Sequence, residues 1–293
     1  MAVLEETKGN FEKAAQWHKK TIGFDSNILP SLKRLISLRR KKQKKPMNEL
    51  TQELKALKAE SKNSLAEFDL MIGTLTLADK SEPERLKKGR ESLNSAIKNN
   101  PNLIGAYFAL AAIDSAGGDL EGAQKNYERL LEKNPKHTPT LMMLAMSQES
   151  QKKYTDASET YNRILDFAPN FAPAANNLAW LIAEELKGDV DKALKLAQIA
   201  KEQMPNESSV TDTLGWIHVL KGNTKLGVEF IKEAIEQDKE NNKRVNPEIL
   251  YHLAKANLIL EDKTSALENI NKALEVKNHP KYDKFIELKN SIK

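Results

Sequence analysis

The sequence predicts an all-α fold: a right-handed α-solenoid, or superhelix, of about seven to eight helix pairs that ends in a capping helix. The main observation is a pattern that occurs twice, with a period of 34 residues, between Pro101 and Pro169. A fixed period of this length is typical of stacked helix pairs, each of which contacts only its neighbours. The paired positions are Tyr107 and Leu141, Leu110 and Leu144, Ala111 and Ala145, Ala123 and Ala157, Tyr127 and Tyr161, and Pro135 and Pro169.

Composition agrees with a helical array. The chain is 40% hydrophobic, 30% charged and only 6% aromatic, which suits helices lined by Leu and Ala better than a β-sandwich. Because there is no cysteine, disulfides, thiolate metal sites and a cysteine nucleophile are excluded. The net charge of +5 favours an anionic partner only weakly. No apolar run reaches the roughly 18 residues of a transmembrane segment.

Residues 1–63 are interpreted as divergent repeats that begin in the middle of a pair. Phe11, Ala14 and Ala15 have helical spacing after Gly9, but the stretch before Gly9 is too short for a full partner helix. Terminal repeats of arrays carry a polar cap for solubility, and this end has none. We therefore expect the chain to be truncated from a longer protein, with an open end whose apolar surface allows self-association.

Residues 64–238 form the predicted core of the array. Small residues recur where two helices must approach closely, because a large side chain there would overpack the contact. Regularly spaced prolines end second helices, since proline cannot continue the preceding turn. The small residues are Gly73, Ala111, Ala145, Ala179 and Gly215 in first helices, and Ala123, Ala157 and Ala193 in second helices.

The C-terminal part contains a polar linker, a last repeat and a cap. Residues 239–246 are predicted to be the linker, because they are too many for a junction between repeats. Residues 247–293 hold the last helix pair, with Ala254 and Ala266 at the repeat positions, and the capping helix. In that helix the apolar residues are expected on one side and charge elsewhere. The apolar residues are Phe285, Ile286, Leu288 and Ile292.

These positions resemble the tetratricopeptide repeat, whose pattern is filled from Tyr107 to Pro135 and again from Leu141 to Pro169. The resemblance is strong from Phe68 to Val276 and weak at residues 26–61. Residues 176–200 and 212–223 also resemble the C-terminal repeats of bacterial tetratricopeptide proteins found with exopolysaccharide export and exosortase-type (PEP-CTERM) sorting. These resemblances imply a non-catalytic protein–protein interaction scaffold in a bacterial envelope or secretion-related assembly.

A concave groove lined by first helices is the predicted partner-binding site. On a helical wheel, the residues two before and two after each paired leucine face this groove. Methionine and aromatic side chains there would suit an extended or helical peptide, so truncating Trp180 and Trp216 should weaken binding and leave the helices intact. The alternative is that both tryptophans pack between adjacent first helices. The predicted contact residues are Phe108, Met142, Met146, Asn176, Trp180, Asp212, Trp216, Tyr251 and Lys255.

A basic run supplies a second hypothesis, the electrostatic binding of an anionic polymer or nucleic acid. No aromatic residue interleaves with the run, so stacking on single strands is unsupported and nucleic acid is disfavoured as a partner. The alternative is that the run is a solvated helix end, as such runs commonly are. Its residues are Lys33, Arg34, Arg39, Arg40, Lys41 and Lys42.

No catalytic constellation supports an enzyme, and no cofactor or metal is predicted. The histidines lack a metal-ligand spacing such as H-E-x-x-H, and Gly117-Gly118 is not part of a phosphate-binding loop. The acid-bearing N-terminus is not a signal peptide. The compartment stays open between the bacterial envelope or periplasm, if the chain is a fragment of a secreted protein, and the cytoplasm. The favoured function is a scaffold that binds a protein or peptide.

Overall fold

The computed structural model describes residues 1–24, 28–61 and 64–292, and its regular structure within these ranges is α-helical. The chain divides into two compact units, Met1–Thr140 (unit 1) and Leu141–Lys293 (unit 2). The helices are α1 (Ala2–Thr7), α2 (Phe11–Phe24), α3 (Leu29–Lys41), α4 (Met47–Glu60), α5 (Leu65–Ala78), α6 (Arg85–Asn99), α7 (Ile104–Ala116), α8 (Leu120–Lys133), α9 (Thr138–Ser150), α10 (Tyr154–Phe167), α11 (Ala172–Glu184), α12 (Val190–Gln203), α13 (Ser208–Leu220), α14 (Thr224–Glu240), α15 (Pro247–Ile259), α16 (Lys263–Ala273) and α17 (Tyr282–Ser291).

Helices that are adjacent in sequence pack as pairs, as α5 does with α6 and α13 with α14. First helices also contact the next first helix, as α11 does with α13 and α13 with α15. Among the described residues, α1 to α16 are eight successive pairs, and α17 stands alone after them. The predicted all-α solenoid of about seven to eight helix pairs with a terminal helix is confirmed.

Unit 1 is held together by two apolar clusters. The first includes Leu35, Leu54 and Phe68, and the second includes Leu93 and Tyr107. Helix α1 is only six residues long; its N-cap Met1 and its apolar residues Val3 and Leu4 are exposed. Apolar surface is therefore present where self-association is expected, although self-association itself stays a prediction.

Unit 2 contains a large apolar cluster that joins α13 to α17, with Trp216, Ile231 and Phe285 among its buried members. Phe285 and Ile292 anchor α17, whereas Ile286 is 38% exposed. The prediction that Ile286 lies on the same side of the helix as Phe285, Leu288 and Ile292 was wrong. The face of α17 that packs on the array is narrower than the face covered by its four apolar residues. The terminal helix nevertheless covers the last repeat, as a capping helix must.

At two helix crossings, a glycine of one helix lies against a glycine of the other. A Cβ atom on Gly227 of α14 would lie 2.6 Å from the carbonyl oxygen of Gly215 on α13. In unit 1, a Cβ on Gly89 of α6 would lie 3.4 Å from the carbonyl oxygen of Gly73 on α5. Gly73 and Gly215 were predicted as close-contact positions, but their partners were not, because spacing alone does not show which second-helix residue faces them.

Side-chain caps define several helix starts. Asp119, Asp189, Asn246 and Asp262 each accept hydrogen bonds from backbone N–H groups in the first turn of the following helix. The predicted linker 239–246 begins inside α14, which is 17 residues long. Its last residue caps α15, and the backbone N–H of Asn246 donates to Asp238 at 3.1 Å. These bonds tie both ends of the linker to helices.

Candidate functional site

Unit 2 contains a cleft of about 780 Å³ that lies along its first helices. Its wall is built from α9, α11, α13 and α15 together with Tyr154 of α10, and residues 280–284 contribute the opposite side. First helices line the cleft because second helices pack on their other face. The cleft includes four of the predicted contact residues, which are Met146, Asn176, Trp180 and Asp212.

The other predicted contact residues lie elsewhere. Phe108 belongs to unit 1, where its ring packs against Tyr127 at a centroid distance of 5.8 Å. Met142 is half-buried, one turn before Met146 on α9. The remaining three, Trp216, Tyr251 and Lys255, form a packed cluster on α13 and α15.

Trp216 is a packing residue in this structure, since it is only 1% exposed. Its indole N–H donates to the carboxylate of Glu184, and its ring stacks on His252 at 4.7 Å with an interplanar angle of 9°. The Lys255 ammonium lies 4.2 Å from the same ring. This arrangement matches the packing alternative, because a side chain covered on all sides cannot contact a partner directly.

Asp212 and His252 form a buried pair beside Trp216. The Asp212 and His252 side chains are 9% and 4% exposed, and Nδ1 of His252 donates to Oδ2 of Asp212 at 2.8 Å. The other Asp212 oxygen, Oδ1, is buried without a hydrogen-bond partner. Asp212 therefore offers one unsatisfied acceptor at the cleft, which it lines.

Lys255 is held against aromatic faces rather than against a carboxylate. Its ammonium lies 5.3 Å from the Tyr251 ring as well as close to Trp216. Burial lowers the pKa of Lys255, and the negative charge of Glu184 partly opposes that shift. Burial likewise raises the pKa of the Tyr251 hydroxyl. Tyr251 and Trp216 both pack against His252, which lines the cleft.

Trp180 is a half-buried aromatic side chain of the cleft, which Tyr154 also lines. The ammonium of Lys281, from the opposite wall, lies 4.8 Å from its ring. Lys281 also donates to Glu248 at 2.6 Å. The tryptophan face thus takes part in a cation–π contact, an interaction that is worth about 0.5–2 kcal/mol.

The cleft is acidic where the C-terminal ends of α9 and α11 line it, and the sequence did not predict this. Glu149 lies in the last turn of α9, and Glu185 is the C-cap of α11. Burial raises the pKa of Glu149; a hydrogen bond from Tyr161 opposes the shift, and the negative charge of Glu185 adds to it. Burial and Glu185 also raise the pKa of Tyr154. One feature of the sequence could have indicated this acidic end. Glu149 and Glu185 each lie at the C-terminus of a helix, where the helix dipole disfavours negative charge.

The basic run is partly neutralised by the chain itself. Arg34 Nε donates to Glu6 at 2.7 Å, and Arg39, which is 7% exposed, donates to Glu12 at 2.7 Å. The Lys42 ammonium lies 5.0 Å from the Phe11 ring. Lys33, Arg40 and Lys41 remain exposed. The sequence could not show this pairing, because the two carboxylates precede their arginines by 28 and 27 residues.

Among residues 1–24, 28–61 and 64–292, no helix is long and apolar enough to cross a membrane. Within the same ranges, no group of three or more His, Cys, Asp or Glu side chains is arranged to hold a metal ion.

Two family models match the chain, and both describe tetratricopeptide repeats. One matches residues 115–181 and the other residues 247–280. The first match extends from unit 1 into unit 2, and the second covers the last helix pair.

Among curated proteins, the mouse mitochondrial import receptor subunit TOM70 is 25% identical over 130 residues. The match covers 44% of this chain and 21% of that protein. Among solved structures, a tetratricopeptide repeat protein from Parabacteroides merdae is 18% identical, with a TM-score of 0.55 over 96% of this chain and 98% of that one. YrrB, described as having an unusual peptide-binding site, is 19% identical, with a TM-score of 0.50 over 69% of this chain and 99% of that one. These similarities show the fold.

Proposed function

The chain contains tetratricopeptide repeats, and on this premise we propose that the cleft of unit 2 binds a peptide segment of a partner protein. The chain then acts as a non-catalytic scaffold. The observation that carries the proposal is the cleft itself, where the half-buried Trp180 lies beside buried acceptors that lack a partner. The peptide-binding site named for YrrB supports the same class of function.

The residues of the cleft suit an extended or helical segment. Met146 is 49% exposed, and a flexible thioether side chain adapts to irregular apolar surfaces. Trp180 provides a large rigid face, and tryptophan is enriched among residues that dominate binding energy. Because the supporting cluster around Trp216 is already packed, little ordering entropy is lost when a segment docks.

We expect Trp180→Ala to weaken peptide binding at least tenfold, since it removes the main apolar anchor of the cleft. The probe is a peptide selected against the intact chain from a phage library of random 12-residue peptides, with affinity measured by fluorescence anisotropy. Met146→Ala, which changes an exposed side chain, should weaken the same peptide without affecting folding. Circular dichroism and the unfolding temperature establish that each variant is folded.

Trp17→Ala is the matched control. Trp17 lies on α2 of unit 1, is 37% exposed and also carries a lysine ammonium, that of Lys20, 5.0 Å from its ring. It should bind the selected peptide as the unmodified chain does. A selection that yields no binding peptide, or binders that are insensitive to Trp180→Ala and Met146→Ala, would contradict the proposed function.

A second candidate function is electrostatic binding of an anionic polymer through Lys33, Arg40 and Lys41, which stay exposed. It is the weaker proposal, because Arg34 and Arg39 already pair with carboxylates of the chain. A salt titration of heparin binding separates the two proposals. Polymer binding would be favoured over peptide binding by two results together. The affinity for heparin should fall steeply as the salt concentration rises, and this salt dependence should disappear when these three residues are neutralised.

We also propose that the scaffold works in a bacterial envelope or secretion-related assembly. The support is the resemblance of residues 176–200 and 212–223 to repeats of exopolysaccharide-system proteins. Fractionation of the native host cell, followed by immunodetection, should recover the chain with envelope components. Exclusive recovery with cytoplasmic markers would contradict this placement.

A further inference from the structure

We propose that the cleft selects a partner segment carrying an arginine or lysine, whose cationic group is bound between Glu149 and Glu185. The inference rests on the proposed peptide binding and specifies the chemistry of the peptide. It assigns a cation subsite to the acidic end of the cleft, where the ends of α9 and α11 lie.

Unsatisfied acceptors are the first observation behind this subsite. Three side chains that line the cleft each have a buried oxygen without a hydrogen-bond partner: Oε1 of Glu149, Oδ1 of Asn176 and Oδ1 of Asp212. They lie on three successive first helices, α9, α11 and α13. A buried acceptor left unsatisfied is unfavourable by about 1–3 kcal/mol. A ligand that donates hydrogen bonds along this line would remove that penalty.

Asp212 is the most enclosed of these acceptors. Its side chain is 9% exposed and its second oxygen is already bonded to His252, so its orientation is fixed. The free oxygen of a fixed, buried carboxylate cannot turn to another protein donor. It therefore stands ready for a donor from the ligand, such as a peptide N–H adjacent to the anchoring residue.

The electrostatics of the acidic end favour a cation over a neutral donor. The charged neighbour that acts on the Glu149 pKa is a second carboxylate, Glu185. Both residues lie at helix C-termini, where the partial negative charge of the dipole adds to theirs. A guanidinium or ammonium group would relieve the repulsion between the carboxylates and supply several N–H donors. A peptide carboxylate would instead increase that repulsion.

The cleft also has lysines, but no lysine is among the charges that shift the pKa of Glu149 or of Tyr154. Lys281 is bonded to Glu248 at 2.6 Å and lies over Trp180. Lys284 extends from the same wall, and Lys152 is an exposed residue of the α9–α10 turn. Lys281 shows that the cleft holds an ammonium group between an aromatic face and a carboxylate. The proposed subsite repeats this chemistry with Tyr154 beside Glu149 and Glu185.

The test begins with the peptides selected against the intact chain. We expect them to share an arginine or lysine at one fixed position, and its replacement by citrulline, which is neutral but similar in shape, to weaken binding at least tenfold. In the double variant Glu149→Gln, Glu185→Gln the arginine and citrulline peptides should bind with affinities within threefold of each other. The effect of the citrulline replacement then depends on the two glutamates, and this coupling is expected of a direct contact between them and the peptide cation. Glu159→Gln, Glu202→Gln, on exposed positions of α10 and α12, is the charge-matched control.

A thermal readout shows that loss of binding is not loss of folding. Because the pKa of Glu149 is raised in the folded chain, its ionised form is unfavourable for stability above the ordinary pKa of 4.5. Glu149→Gln should therefore raise the unfolding temperature at pH 7, and the gain should shrink as the pH is lowered towards 4.5. Higher stability with weaker binding is expected of a binding residue and not of a structural one.

The outcomes separate the two levels of the proposal. If no peptide is selected, the proposed function fails, and the inference fails with it. If peptides are selected and depend on Trp180 but lack a basic residue, or if citrulline replacement leaves affinity unchanged, the cation subsite alone is overturned. The cation subsite would also be overturned if the double variant Glu149→Gln, Glu185→Gln still bound the arginine peptide more tightly than the citrulline peptide.

Discussion

Replacing Trp216 with alanine is expected to lower the free energy of unfolding by about 3–5 kcal/mol, the usual range for a buried tryptophan. The side chain is 1% exposed and belongs to the apolar cluster that joins α13 to α17. The substitution leaves a large cavity and removes the stacking on His252. It also leaves the Glu184 carboxylate without its indole donor and Lys255 without an aromatic face.

Urea unfolding followed by circular dichroism measures this effect as a shift of the midpoint at constant slope. Trp17→Ala, a truncation of the same size at a 37% exposed position, should change the free energy by less than about 1 kcal/mol. Equal effects of the two substitutions would contradict the assignment of Trp216 to the core. Trp216→Phe should recover part of the stability, because it keeps an aromatic ring for His252.

Gly227→Leu is expected to destabilise the chain by about 3 kcal/mol, at the upper end of the range for overpacking. A Cβ atom at this position would lie 2.5 Å from Cγ2 of Val219 and 2.6 Å from the carbonyl oxygen of Gly215. A backbone oxygen cannot turn away as a side chain can, so α13 and α14 must separate. The better helix propensity of leucine offsets only about 1 kcal/mol of this loss.

Ala112→Leu provides the comparison, since it introduces the same side chain at an exposed position on α7. Its effect on the midpoint of urea unfolding should stay within about 0.5 kcal/mol. Gly227→Ala should give a smaller loss than Gly227→Leu. A gain in stability from Gly227→Ala would mean that the two helices have room to spare at their crossing.

The buried position of Trp216 changes how the cleft is tested. Truncating Trp180 and Trp216 together was expected to leave the helices intact, but the loss of Trp216 should itself destabilise unit 2. A weaker affinity of the double variant would then report on folding as well as on contact. Trp180→Ala and Met146→Ala separate the two effects, because Trp180 is half-buried and Met146 is 49% exposed.

Much of the fold followed from residue spacing. The 34-residue period and the small residues at Ala111, Ala145 and Gly215 place helix pairs in register, because a repeat uses the same contacts each time. The cleft was partly predicted, since Met146, Asn176, Trp180 and Asp212 do line it. Exposure was harder to predict, because equivalent positions have different neighbours. Trp180 meets a lysine of the opposite wall, whereas Trp216 is covered by His252.

The sequence by itself determined the helices and their pairing, because these depend on the 3.6-residue turn and the repeat period. The side of α15 that faces the cleft was not determined in this way, since Glu248 and His252 line the cleft and the predicted Tyr251 and Lys255 do not. Tertiary structure decided which charges are paired and which acceptors are left free. Arg34 finds Glu6 28 residues away, and His252 finds Asp212 40 residues away. Such contacts depend on how neighbouring repeats pack, and the acidic end of the cleft at Glu149 and Glu185 arises in the same way.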